Sequence, residues 1–175
     1  GTPFVLFPLV KASPEGFNPP LRVSGSDLIQ AWNLKRTGLR HAEARKWDTA
    51  IFTWRMAIAN NAADGALIRG LLQTVAQTEE PHRYTDVTVA YSRWLLRLSR
   101  TNQSDVELVA GLYEEIGLYD LITRTFAERA AEPHGRFALA HLKALFYQGE
   151  YQRFKQAWEQ SRSTIKGDAR AVAEI

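Results

Sequence analysis

With 175 residues, of which 45% are hydrophobic and 11% aromatic, the chain is long enough to bury a sizeable core as one domain. Its 22 basic and 19 acidic residues leave a net charge of only +3, which argues against the strong positive field of a nucleic-acid-binding protein. The absence of cysteine excludes a disulfide framework and a thiolate metal site, and leaves the compartment open.

Five of the seven prolines fall within residues 1–25. Proline removes a backbone donor and restricts the residue before it, so this arm is expected to be extended rather than helical. Within it, Phe4-Val5-Leu6-Phe7-Pro8-Leu9-Val10 is the most apolar run of the chain, too short to span a bilayer. Two readings stay open: an arm laid on the helical body, or the trailing end of a membrane anchor upstream of residue 1. Ser24-Gly25-Ser26-Asp27 then reads as a helix start, with Ser26 or Asp27 as the cap.

From residue 26 to the end, helical periodicity alternates with short breaks. Helices are expected at about 27–44, 48–60, 64–78, 84–99, 105–116, 119–131, 135–148 and 151–162, with a fragment from 167. The punctuation between them is Asn60-Asn61, Pro81, Thr101 to Ser104, Gly117, Pro133 to Gly135 and Gly149. No alternating stretch is long enough to argue for a sheet. The stretch Gly38 to Ala62 is the most informative. Gly38 and Ala42 give the first helix a small-residue face, with Gly38 expected to meet the second helix near Ala50. Trp47, Ala50, Ile51, Trp54, Ala57 and Ile58 give the second an apolar stripe, and Asp48 is the expected N-cap. Near the end, Thr164 to Asp168 reads as a turn, with Ala169 to Ile175 as a capping segment or the start of further helices.

An aromatic opening a second helix recurs as Trp47, Tyr119 and Tyr151, and a second aromatic seven residues on recurs as Trp54, Phe126 and Trp158. Intervals of 72 and 32 residues fit units of about 36, an array of similar helix pairs. These residues resemble the tetratricopeptide repeat, whose pattern is W-x2-L-G-x2-Y, then A-x3-F, then P. Leu34, Thr37, Gly38, His41, Ala50, Trp54 and Ala62 stand at those places in the first unit. Val106, Val109, Ala110, Tyr113, Ile122, Phe126 and Pro133 do so in the third, and Ala138, His141, Leu142, Gly149, Tyr151 and Trp158 in the fourth. The second unit keeps Gly70 and lengthens its turn around Pro81. The resemblance covers about residues 27–162. It implies an all-α, right-handed array of about four antiparallel helical hairpins, preceded by the arm of residues 1–25.

In that family the first helix of each hairpin lines a concave surface. The resemblance therefore implies a partner-binding face of Trp32, Lys35, Leu39, Glu43, Leu67, Leu71, Thr74, Glu107, Glu114, Glu115, Leu139, Lys143, Phe146 and Tyr147, suited to a peptide segment or partner protein. Some relatives clamp a terminal carboxylate with paired Lys and Asn. Lys35 resembles one member, but Leu39 stands where the Asn would be, and that activity is not carried over.

Catalytic readings find little. His134 and His141 are seven residues apart without a recognised metal-ligand spacing, adjacent Glu114 and Glu115 point about 100° apart, and no phosphate loop or nucleophile elbow is present. The basic residues Lys35, Arg36, Arg40, Arg45, Lys46 and Arg55 offer a patch for an acidic partner or anionic headgroups, set against ordinary solvated helix faces. The expected function is a non-enzymatic interaction scaffold without cofactor, metal or nucleic acid. The alternative is an assembly domain that forms a homo-oligomer and is tethered to a membrane.

Overall fold

The computed structural model describes residues 9–10, 22–99, 102–126 and 135–167. Its architecture is all-α, with eight α-helices among the described residues: α1 (Gly25–Glu43), α2 (Trp47–Asn60), α3 (Gly65–Ala76), α4 (Thr85–Leu98), α5 (Gln103–Ile116), α6 (Tyr119–Phe126), α7 (Gly135–Tyr147) and α8 (Tyr151–Gly167). A 3-10 turn at Pro81–Tyr84 leads into α4. Two short extended pieces, β1 (Leu9–Val10) and β2 (Arg22–Val23), pair antiparallel with Leu9 opposite Val23; the remainder of the expected arm lies outside the described residues.

The eight expected helices from 27 to 162 each have a counterpart, the sixth described as far as Phe126, while the fragment expected from 167 falls largely outside the described residues; three local expectations are corrected. The cap of α1 is Ser24, not Ser26 or Asp27. Its hydroxyl accepts from the Asp27 backbone N–H at 3.1 Å while the Asp27 carboxylate accepts from the Ser24 N–H at 2.9 Å, a reciprocal capping box. The Ser24 bonds hold the Asp27 carboxyl below its ordinary pKa. Asp48 does not cap α2, which starts one residue earlier; it lies in the first turn and accepts from the Tyr84 phenol at 2.5 Å. The turn expected from Thr164 onward is instead, as far as Gly167, the last turn of α8, with Ile165 fully buried; Asp168 and the expected capping segment Ala169 to Ile175 lie outside the described residues. Tyr151, Trp158 and Ile165 recur every seven residues, so one stripe runs the length of α8, and the intervening Ser161 is buried on it rather than breaking it.

Close contacts divide the chain into two compact units, Gly1–Asp105 and Val106–Ile175. In the first, α1, α2, α3 and α4 pack consecutively. Trp54 of α2 is 1% exposed, and the neighbour expected to be Ala50 at Gly38 is this indole. A Cβ at Gly38 would sit 3.2 Å from its Cε2, and one at Gly70 only 2.5 Å from its Cη2. The ring thus lies between the bare backbones of α1 and α3, and only glycine permits that approach on the α3 side. Elsewhere in this unit Arg69 holds Asp105 through two bonds, one of 2.8 Å between Nη2 and Oδ2. The Asp105 carboxylate is fully buried, and such a group needs a bidentate partner to offset its desolvation.

In the second unit α6 packs on α7 and α7 on α8. Its core includes Ala138, Leu139, Leu142 and Ile165, with Phe154, Ala157 and Trp158 partly buried against them.

Three helices end in the same way. At the end of α1, Arg45 has φ 53°; its N–H donates to the Ala42 carbonyl and the Lys46 N–H to that of His41, both at 2.9 Å. At the end of α5, Gly117 (φ 82°) and Leu118 repeat this pattern to Glu114 and Tyr113, and at the end of α7 Gly149 (φ 72°) and Glu150 repeat it to Phe146 and Leu145. Each is a left-handed closure that satisfies the last carbonyls of its helix. Two residues after each, Trp47, Tyr119 or Tyr151 opens the next helix. The α3 end departs from this: Gln77 stays in the right-handed region, and the Pro81 turn follows.

Candidate functional site

The helices α7 and α8 enclose a groove of about 400 Å³, lined by Leu139, Leu142, Lys143, Phe146, Tyr147, Phe154 and Trp158. On α7 the residues at 139, 142, 143, 146 and 147 follow helical spacing, so they fall on one face; Phe154 and Trp158, four apart on α8, supply the other wall. The rings are organised among themselves. Tyr147 stacks on Tyr119 of α6 with centroids 4.9 Å apart, and Phe146 stands edge-on to Tyr151 and Phe154 at 6.0 and 6.1 Å. Phe146 and Tyr147 are nevertheless 53% and 64% exposed. Lys143 is the charged residue of the lining. Chemically the groove offers aromatic and aliphatic walls with one cation, a setting for an apolar anchor next to an acidic group.

The groove exists because of side-chain size. Counting from Trp47 and from Tyr151, its residues Leu142, Phe146 and Phe154 correspond to Gly38, Ala42 and Ala50 of the first helix pair. Small residues bring α1 and α2 together over a longer stretch than α7 and α8. The three large ones line the opening.

Of the fourteen residues expected on a binding face, the structure brings Leu139, Lys143, Phe146 and Tyr147 together in this groove. Trp32, Leu39, Glu43 and Glu115 are exposed, while Lys35, Glu107 and Glu114 are half-buried. Leu67, Leu71 and Thr74 do not face solvent: all three are at most 3% exposed. The correction has a plain cause, since α3 packs on α2 and on α4, and the stripe assigned to a partner is used in the core. Thr74 also turns its hydroxyl back to the Gly70 carbonyl at 2.8 Å. Sequence reasoning missed Leu142, Phe154 and Trp158 as groove residues. The signal was the i, i+4 aromatic pair on the second helix, which an assignment restricted to first helices passes over.

His141, in the core beside the groove, is 7% exposed and its Nδ1 has no hydrogen-bond partner. Burial pushes its imidazole below the usual pKa, and Arg153 adds to the shift. His134 lies outside the described residues, and among those described no group of three or more His, Asp or Glu side chains could hold a metal ion. The first unit has a cavity of about 370 Å³ lined by Trp47, Thr78, Glu79, Glu80, Arg83 and Tyr84. Burial and the Asp48 bond raise the Tyr84 phenol to about 12, which keeps it protonated and donating; it ties the first two helix pairs together.

Compared with family models, with curated proteins and with solved structures, the chain matches none.

Proposed function

We propose that the chain is a tetratricopeptide-like helical-repeat scaffold, a right-handed array of about four helix pairs that binds a peptide segment of a partner protein without catalysing a reaction. The observation that carries this reading is the groove between α7 and α8, where exposed Phe146 and Tyr147 face Phe154 and Trp158 beside Lys143. Large rings left in water at a concave site are the usual anchors of a protein interface. The repeated left-handed closures at Arg45, Gly117 and Gly149 support the repeat reading. The occupant that fits is a short segment with one or two apolar anchors and an acidic side chain or terminal carboxylate within reach of Lys143.

A peptide array probed with the 175-residue chain tests this. Enrichment of peptides with an apolar anchor next to an acid is expected, lost in Phe146→Ala and weakened in Lys143→Glu. Enrichment indifferent to both substitutions would remove the groove from consideration. The second reading, self-association, is favoured by the exposed cluster of Phe146, Tyr147 and Tyr151, the last 61% exposed. Light scattering separates the two: a dimer abolished by Phe146→Ala supports assembly, and a concentration-independent monomer supports the peptide scaffold.

A further inference from the structure

A second surface lies in the first unit, on the solvent-exposed side of α1. Ile29, Trp32 and Leu39 are 64%, 56% and 45% exposed, and with Arg36 they recur at intervals of three, four and three residues. At about 100° per residue these four form one stripe. The buried residues of α1, Ala31 and Gly38, lie on the opposite side, more than about 100° from the centre of the stripe. The Arg36 guanidinium lies 4.8 Å from the centre of the Trp32 ring, a cation–π contact that holds a charge and an aromatic face at the same level.

Charge is concentrated in the same place. Residues 25–46 carry five basic residues, Lys35, Arg36, Arg40, Arg45 and Lys46, against Asp27 and Glu43, and this excess equals the +3 of the entire chain. Asp27 is engaged in the capping box with Ser24. A further observation concerns the arm. The antiparallel bridge sets Leu9–Val10, the end of the most apolar run in the sequence, beside Arg22–Val23, at the start of α1. The end of the apolar run is therefore held at the N-terminal end of α1.

We infer that the solvent-exposed stripe of α1 is a peripheral docking surface for an anionic lipid bilayer. Projecting Ile, Trp and Leu side chains enter the interfacial region, where tryptophan is favoured, and Lys35, Arg36 and Arg40 meet the headgroups at the margins. A bilayer accepts side chains that project from a convex helix, whereas a folded partner must supply a matching cleft. Docking is peripheral, because no described helix is long and apolar enough to cross a membrane. The surface is separate from the α7–α8 groove and does not depend on the function proposed for it.

The test is sedimentation of the 175-residue chain with phosphatidylcholine vesicles, with and without about one third phosphatidylserine. Binding to the anionic vesicles alone is expected, weakened about fivefold for each charge removed in Arg36→Gln and Arg40→Gln and about tenfold or more in Trp32→Ala. Lys155→Gln, an exposed charge on α8, serves as the control and is expected to leave binding within about twofold. Quenching by brominated lipid checks the result without a disruptive change: fluorescence lost in the unaltered chain and not in Trp32→Phe places this ring in the bilayer. Failure to bind anionic vesicles would overturn the inference, as would binding that survives Trp32→Ala. So would capture by polyglutamate with no capture by vesicles, which would assign the face to an acidic polypeptide.

Discussion

Trp54 and Trp158 occupy the same place in their helix pairs, seven residues after Trp47 and Tyr151, yet one is sealed and the other lines a groove. Against Trp54 lie two glycines, Gly38 next to Cε2 and Gly70 next to Cη2. Around Trp158 the neighbours are side chains, because Leu142 stands where Gly38 does and Phe154 where Ala50 does. The same aromatic therefore closes a core when its partners are small and frames an opening when they are large. In a repeated architecture, the position of a residue gives its direction, and the size of its neighbours decides whether that direction ends in core or in a site.

The strongest test of this contrast is truncation of the two rings. Trp54→Ala removes a fully buried indole from between two helices that cannot collapse onto the space, at an expected cost of about 4 kcal/mol. Trp158→Ala removes a half-buried ring, at about 2 kcal/mol or less. Denaturant unfolding followed by circular dichroism measures both, and equal losses would break the comparison. A finer test uses the glycines. Gly70→Ala is expected to cost about 2 kcal/mol, since its Cβ would meet the indole at 2.5 Å and the ring has little room to retreat toward Gly38. Gly111→Ala on α5 has nothing within 4 Å of the new Cβ and should instead stabilise by up to about 1 kcal/mol through helix propensity.

The closures sharpen the comparison from the backbone. Arg45 and Gly149 perform the same left-handed turn, but only Gly149 does so without a Cβ penalty. Gly149→Ala is expected to cost about 1 kcal/mol, and Arg45→Gly to gain about half as much, reduced by the greater freedom of glycine in the unfolded chain. The Arg45 to Glu79 ion pair, 3.7 Å long between exposed side chains, contributes too little to reverse that sign. Thermal melts of the two variants measure it, and a destabilised Arg45→Gly would show that the side chain matters more than its strained backbone.

Helix placement was legible because it depends on local signals. Gly117, Gly149, Pro81 and the two-residue offset to each opening aromatic mark the boundaries with little help from tertiary structure. Where small and polar residues follow a helical stripe, as from Thr164 to Gly167, the sequence suggested a turn and packing of Ile165 decided otherwise. The site was only partly legible. Leu139, Lys143, Phe146 and Tyr147 could be found from the repeat pattern. Leu67 and Leu71 could not be separated from them, because both sets share the same register and differ only in whether a neighbouring helix covers them. Leu142, Phe154 and Trp158 required knowing where α7 and α8 leave an opening, which depends on pairs of residues rather than on either helix alone.

The smallest effect separates the helix pairs by pH. His141 is the counterpart of Thr37, midway along the segment that matches Lys35 to Leu39 with Leu139 to Lys143. Thr37 satisfies its hydroxyl on the Asn33 carbonyl at 3.0 Å and does not titrate. His141 is buried with its Nδ1 unpartnered, and its pKa is lowered from 6.5 chiefly by burial. Folding therefore favours the neutral imidazole, while the unfolded chain takes up a proton near pH 6.5. Stability is expected to be fully present above that value and to decline as pH falls through it. His141→Thr, which installs the residue of the first pair, should remove this decline whatever it does to the absolute stability. Urea unfolding of the chain and the variant on either side of pH 6.5 measures the difference, and an identical pH response in both would show that His141 does not supply it.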